Sequence, residues 1–200
     1  MVEVAIEEGL PFALTWTVAE PMERSSHALA SEGKVWLVDP VAEDRALAAA
    51  ERLGDIVGVI QLLDRHRRDC SEVASRYGVE HQRLPDRIDG APFEPLTVIS
   101  VPRWREVALR WPAESLLVVA EAVGSAASFT AEQGPLGMHP FLRPYPPSVL
   151  RDVSADRILV GHGPPLHAGG TAALSEALER SRRDIPRAIG AMVRAFSRGG

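Results

Sequence analysis

The sequence contains very little cysteine and lysine, and each shortage excludes a class of protein. Cys70 is the only cysteine among 200 residues, so no disulfide forms within the chain and we expect a reducing, cytoplasmic location. Lys34 is the only lysine, and the net charge of -5 argues against nucleic acid or an anionic membrane as the partner, since phosphate binding needs a concentrated basic field. No apolar run approaches the ~20 residues that a membrane-spanning helix requires.

What the sequence does contain is typical of one globular domain. Hydrophobic residues make up 46% and charged residues 24%, a balance that supports a sizeable core in a single domain over residues 1–200. The apolar periodicity predicts strands at 12–18, 27–30, 35–38, 56–63, 79–84, 96–101, 106–110, 115–120 and 157–160. It predicts helices at 42–53, 71–77 and, packed on the domain at its C-terminal end, 171–183 and 185–196. The stretch 124–147 is rich in Gly and Pro, which predicts a long loop over a cleft.

Two polar motifs follow directly after predicted buried strands. His162 stands between two glycines behind the apolar run Ile158–Val160, where the backbone can approach a ligand closely and the imidazole can point into a cleft. The charged run Asp64–Cys70 follows the strand at 56–63. We expect the C-terminal ends of these two strands to converge and to bring Asp69 and His162 to the same end of the domain.

The order of these segments resembles the metallo-β-lactamase superfamily. The resemblance spans roughly residues 27–166 and is carried by Lys34–Pro40, Trp111–Leu117 and Ile158–Pro165. It implies an α/β (α+β) fold, a four-layer αββα sandwich with the active site on loops at one edge. It also implies hydrolysis by a hydroxide held on one or two zinc or iron ions, with lactams, thioesters, lactones or phosphodiesters as substrates.

The chain departs from the family pattern where the metal ligands are expected. Relatives carry His-x-His-x-Asp-His after the second buried strand, because neutral imidazoles and a carboxylate bind the metals and orient the water. If Asp69 and Cys70 match the final Asp-His pair, Arg65 and Arg67 fall on the first two ligand positions. A guanidinium is permanently charged and cannot bind a cation.

A register one residue earlier gives a different result. It places Asp64 and His66 on the first two ligand positions. Arg68 then stands where the orienting Asp is expected, and Asp69 stands where the last His is expected. In this register Asp64, His66 and Asp69 all remain able to bind a metal, and the sequence does not choose between the two registers.

The remaining ligand segments are altered as well. The family's central histidine is missing from 101–105, and Glu121 replaces the bridging aspartate, whereas His162 is retained. Cys70 is either a soft ligand or nucleophile, or a small buried residue at the start of a helix.

Three functional hypotheses follow. The first is a degenerate, non-catalytic or weakly catalytic relative without a cofactor, whose cleft binds a small anionic ligand through Arg65, His66, Arg67, Asp69, Cys70, Glu121 and His162. The second is a metal-dependent hydrolase for ester, thioester, lactone or phosphodiester bonds, in which Asp64 and Asp69 are catalytic candidates. Its single zinc or iron ion is held by Asp64, His66, Asp69, Glu121 and His162. The third is an interaction or homo-oligomerisation module that uses the C-terminal helices.

The first hypothesis makes a structural prediction. A carboxylate that has lost its metal is a costly unpaired charge unless a cation replaces it. We therefore expect at least one of the arginines at 65, 67 and 68 to pair with Asp69 or Glu121.

Overall fold

The structure, a computed structural model, describes residues 3–187, which form twelve strands and four α-helices. The strands are β1 (Val4–Leu10), β2 (Ala13–Val18), β3 (Ser25–Ser31), β4 (Lys34–Val38), β5 (Asp55–Gln61), β6 (Glu80–Arg83), β7 (Glu94–Val101), β8 (Trp104–Trp111), β9 (Leu116–Val119), β10 (Val123–Gly124), β11 (Gly137–Met138) and β12 (Arg157–Val160). The helices are α1 (Asp44–Glu51), α2 (Cys70–Tyr77), α3 (Ala127–Thr130) and α4 (Gly170–Arg180). None of these helices has both the length and the apolar composition needed to cross a bilayer.

Two sheets form the centre of the fold. The first has six strands in the order β1-β2-β3-β4-β5-β6, and the second has four in the order β12-β9-β8-β7. Strand β4 carries apolar side chains on both faces, and each face is covered by another layer of the fold. Val35 and Leu37 pack under α1 and α2, whereas Trp36 and Val38 belong to the core that also contains residues of the second sheet. Leu174 of α4 joins this core, which completes an αββα sandwich.

The edge where β5 and β12 end holds the two sheets together. Val107 N donates to Leu62 O at 2.8 Å, and Asp64 N donates to Arg105 O at 3.0 Å, so the segment after β5 pairs with β8. Ser25 N donates to Gly161 O at 2.9 Å, which joins the residue after β12 to β3. The two predicted strand ends therefore converge.

Most of the predicted elements are present within a few residues of their predicted bounds, but two predictions were wrong or incomplete. Strand β1 was missed because it is a half-exposed edge strand that contains two adjacent glutamates. The stretch 124–147 is not a loose loop: it contains β10, α3 and β11, and Phe129, Leu136 and Arg143 are buried in it. The predicted helix at 171–183 corresponds to α4, and the positions 188–196 of the last predicted helix lie outside the described residues.

Candidate metal centre

Three side chains with metal-binding atoms meet at the convergent edge. His66 lies in the loop after β5, Glu121 follows β9, and His162 follows β12. One ligand atom from each lies within 4.8 Å of the others. We call these three residues the metal cluster.

Backbone and ring contacts hold His162. Its Nδ1 lies 2.8 Å from Met22 O, and because a carbonyl oxygen only accepts, Nδ1 carries the proton and Nε2 presents a lone pair. The ring of Phe129 stacks on it at a centroid distance of 5.3 Å. Burial, helped by His66 and by the charge of Arg68, lowers the pKa of His162 to about 4, so the ring is neutral near pH 7.

Asp39 gives His66 the same tautomer. The Asp39 Oδ2 atom lies 3.1 Å from His66 Nδ1, while Oδ1 accepts from Leu62 N at 3.0 Å. Burial acts to raise the pKa of Asp39, but the hydrogen bond and charge of His66, together with Arg68, outweigh it and hold the pKa below its usual value. An ionised carboxylate only accepts, so His66 Nδ1 is the donor, and in the neutral form of the ring Nε2 carries the lone pair.

The two open nitrogens point at each other. His66 Nε2 and His162 Nε2 are 3.3 Å apart, and when both rings are neutral with their protons on Nδ1, neither nitrogen donates to the other. Two ligands of a tetrahedral zinc ion with Zn–N bonds of about 2.0–2.1 Å are separated by about 3.3–3.4 Å. The spacing and the tautomers of both histidines therefore fit a single bound cation.

Glu121 completes the cluster and is held on two sides. Its Oε2 accepts from Arg65 Nη2 at 2.5 Å, and its main-chain N–H donates to Glu106 Oε1 at 2.9 Å. Burial acts to raise the pKa of Glu121, but His66, Arg65 and His139 lower it below its usual value. Glu106 lies beneath it, fully buried, and burial raises the pKa of Glu106 to about 7.

Arginines flank the cluster in two different ways. Arg65 is half-exposed, pairs with Glu121 and lies over Trp104 at 4.3 Å from the ring centroid, so the expected pairing of an arginine with Glu121 is confirmed. Arg68 points into the protein, where it donates to main-chain carbonyl oxygens. Arg67 is exposed.

The other predicted ligands are not brought to the cluster. Asp69 Oδ2 accepts from Ala42 N at 2.8 Å, and Asp64 Oδ2 accepts from Arg105 N at 3.1 Å. Their carboxylates satisfy backbone amides instead of joining His66 and His162. Asp69 is therefore not at the cluster, although its loop is at the expected edge of the sandwich.

Cys70 also lies elsewhere. It is fully buried in the core under α1 and α2, and burial raises the pKa of its thiol well above the usual range. A protonated, inaccessible thiol is neither a nucleophile nor a metal ligand. Of its two sequence readings, the structure agrees with the small buried residue.

Three residues around the cluster escaped the sequence analysis. Asp39 has a positive φ of 44° in Val-Asp-Pro, and this motif was the one available signal. His139 lies in the stretch 124–147, with its ring 4.9 Å from Trp104 and its Nε2 3.7 Å from Glu121 Oε1. Phe129 comes from the same stretch, and no periodicity marks either residue.

Solved structures resemble this chain across nearly its whole length. A metallo-β-lactamase from Erythrobacter litoralis matches with a TM-score of 0.61 at 12% identity, over 90% of this chain and 93% of that one. A putative diflavin flavoprotein from Nostoc sp. PCC 7120 matches with a TM-score of 0.60 at 15% identity, over 93% and 98%. The mono-zinc form of an NDM/FIM-1-like metallo-β-lactamase from Erythrobacter litoralis matches with a TM-score of 0.58 at 11% identity, over 90% and 97%. No family model and no curated protein matches the chain.

Proposed function

We propose that this chain, which has the metallo-β-lactamase fold, is a hydrolase that uses one zinc or iron ion bound by His66 Nε2, His162 Nε2 and a carboxylate oxygen of Glu121. The observation that carries the proposal is the 3.3 Å approach of two Nε2 atoms whose rings both hold a proton on Nδ1. Two facing lone pairs are unfavourable unless a proton or a metal cation lies between them, and with Glu121 as a third donor the spacing suits a metal. Two histidines and one glutamate are also a known catalytic zinc set, which leaves a fourth position for water.

The chemistry follows from this donor set. A bound ion of this kind lowers the pKa of a coordinated water and so supplies a hydroxide near neutral pH. Asp39 and the Met22 carbonyl hold the two imidazoles in the tautomer that binds metal. The guanidinium of Arg65, half-exposed beside Glu121, presents N–H donors to negative charge that develops on a cleaved ester, thioester, lactone or phosphodiester bond.

The solved neighbours support the single-ion arrangement. One of them is a mono-zinc form of a metallo-β-lactamase. In this chain Asp64 and Asp69 are engaged by backbone amides, so three of the five ligands suggested by the sequence remain. We infer a centre for one ion.

A second candidate function has an observation in its favour. The positive charges of Arg68 and Arg65 lower the pKa of Asp39 and of Glu121 and match their negative charges, so the cluster together with Asp39 is neutral without a metal. A neutral cluster beside a half-exposed arginine suits a non-catalytic protein that binds a small anion. This is the hypothesis that the sequence favoured, and it predicts no stoichiometric metal.

Metal content separates the two candidates. The chain purified without chelator, and the same chain titrated with Co²⁺ after chelation, should hold about one ion. His162→Ala should abolish binding, because it removes one of the three donors. His167→Ala is the matched control, because His167 is half-exposed and pairs with Glu7 instead.

The absence of metal binding would contradict the hydrolase proposal. If the native chain holds no metal and takes up no Co²⁺ at micromolar concentrations, the metal proposal is wrong. Saturable binding of inorganic phosphate that is lost in Arg65→Met would then support the anion-binding candidate.

A further inference from the structure

Arg68 is an arginine whose guanidinium is turned toward the protein. It donates to three main-chain carbonyl oxygens, those of Ser25, Asp39 and Gly161, the last two at 2.9 Å. Its Nε is buried and has no hydrogen-bond partner among residues 3–187. Its backbone has a φ of 39°, a left-handed conformation that costs about 1 kcal/mol or more in a residue with a side chain and is kept only where the surroundings impose it.

The three carbonyls belong to the segments that support the histidines of the metal cluster. The carboxylate of Asp39 fixes the tautomer of His66. Gly161 directly precedes His162, and its carbonyl also accepts from Ser25 N at 2.9 Å. One guanidinium therefore joins the support of one metal-binding imidazole to the support of the other.

No other side chain fits this position. Several N–H groups in a planar fork reach carbonyls on three separate segments, whereas a lysine has a single nitrogen to share among them. An apolar side chain would leave these carbonyls without one of their donors in a buried place. The guanidinium also places a permanent positive charge next to His66, with Nη2 at 3.4 Å from Nδ1.

We propose that Arg68 is a positioning residue that acts as a built-in cation: it holds His66 and His162 at ligand spacing and limits the centre to one metal ion. The limit rests on the proposed function. A second dication on the Nδ1 side of His66 would meet the guanidinium at short range. The nearest carboxylate, Asp39, is already bonded to His66 and Leu62 N.

The positioning role is tested first in chelator-treated protein, independently of any metal. Nitrogen-15 spectra of the imidazoles should show Nδ1–H tautomers for His66 and His162 in the native chain. Arg68→Met should mix the tautomers of both rings, and Arg68→Lys, which keeps the charge but not the fork, should do so in part. Arg67→Met is the matched control because Arg67 is exposed, and it should leave both signals unchanged.

Two outcomes overturn the positioning role. One is a folded Arg68→Met protein with native histidine signals. The other is loss of the folded backbone spectrum in both Arg68 variants, which would make the arginine a requirement of the fold alone.

A Co²⁺ titration then tests the metal side. The native chain should bind one ion, and Arg68→Lys should bind one ion with an affinity at least about tenfold weaker, as is typical when support behind a ligand is removed. Unchanged affinity in Arg68→Lys, or two ions in the native chain, would overturn the inference. No binding by the native chain would defeat the proposed function instead, and the tautomer experiment would still decide the role of Arg68.

Discussion

Two clusters of titratable side chains lie close together in this molecule, and they differ in how their hydrogen-bond donors and acceptors are matched. The metal cluster has two acceptor nitrogens aimed at each other at 3.3 Å. The second, which we call the Arg143 cluster, consists of Arg143, Arg180 and Asp184. There Asp184 Oδ2 lies 3.7 Å from Arg143 Nη1 and 3.3 Å from Arg180 Nε. Both arginines also donate to carbonyl oxygens, those of Phe129 and Leu136.

The contrast gives a criterion for distinguishing a structural ion-pair cluster from a candidate binding site. In the Arg143 cluster the two guanidinium groups face a carboxylate and main-chain carbonyls, and these contacts join α4 to the stretch 124–147. Only the Nε atoms of the two arginines are left without a hydrogen bond among the described residues of this cluster. In the metal cluster two acceptor nitrogens of neutral rings face each other, and this imbalance is the basis of the proposed metal centre. Phe129 links the two, because its carbonyl accepts from Arg143 and its ring stacks on His162.

The largest expected effect on stability comes from disrupting the Arg143 cluster. Asp184→Ala leaves two buried guanidinium groups without their carboxylate, and we expect a loss of about 3–5 kcal/mol in the free energy of unfolding. Urea denaturation of the metal-free protein measures it. The control is Glu176→Ala, because Glu176 is exposed and forms a long ion pair of 3.7 Å with the same Arg180. An exposed pair contributes little, so we expect a loss below about 1 kcal/mol. Equal losses in both variants would show that Asp184 does not neutralise a buried pair.

His27 is a buried histidine outside both clusters, and it extends the comparison to the pH dependence of stability. His27 uses both ring nitrogens, with Nε2 donating to Val160 O at 3.1 Å and Nδ1 accepting from Thr15 Oγ1 at 2.9 Å. Burial, with a smaller effect of the charge of Arg68, lowers the pKa of His27 to about 3. In the unfolded chain the pKa is about 6.5. Stability present above pH 6.5 is therefore lost as the pH falls toward 3, because the unfolded state alone takes up the proton.

This pH dependence is expected to reach on the order of 4 kcal/mol over the full window. Urea denaturation between pH 7 and pH 4 should show a shallower decline in His27→Gln than in the native chain. His167→Gln, at a half-exposed position, should keep the native slope. If His27→Gln also keeps the native slope, His27 is not held neutral by its burial.

The sequence predicted the fold more completely than it predicted the site. Strand β12 was predicted with its exact bounds, because its apolar run is short and is followed by Gly-His-Gly. His66 and Glu121 were named as candidates through the family resemblance, and His162 was also named because it stands between glycines just after a buried strand. Asp69 lies at the predicted edge but does not join the cluster, because its carboxylate bonds to an amide 27 residues away, a contact that leaves no trace in the local pattern.

The two arginines show the same limit. Arg65 and Arg68 stand in one charged run, and nothing in that run distinguishes the half-exposed side chain from the one turned inward. Only the carbonyls that converge from the start of β3 and from the residues directly after β4 and β12 do so. The stretch 124–147 was read as a loop for a related reason: its compact form depends on Arg143 reaching the Phe129 carbonyl and Asp184, contacts that apolar periodicity cannot report.

The smallest expected effect on stability comes from replacing Arg65. This variant tests whether metal affinity changes at the metal cluster while stability stays nearly the same. Arg65→Met removes an ion pair whose arginine is half-exposed and leaves His139 beside the mostly buried Glu121, so the free energy of unfolding should change by only about 1 kcal/mol. The same substitution removes one of the charges that lower the pKa of Glu121, so that pKa rises. Protons then compete with metal at Glu121 up to a higher pH, and Co²⁺ affinity should fall more at pH 5.5 than at pH 8 relative to the native chain. The control Arg105→Met removes a nearby arginine that contacts Asp64 through its backbone alone. An Arg65→Met loss of affinity that is equal at the two pH values would mean that Arg65 does not act through the ionisation of Glu121.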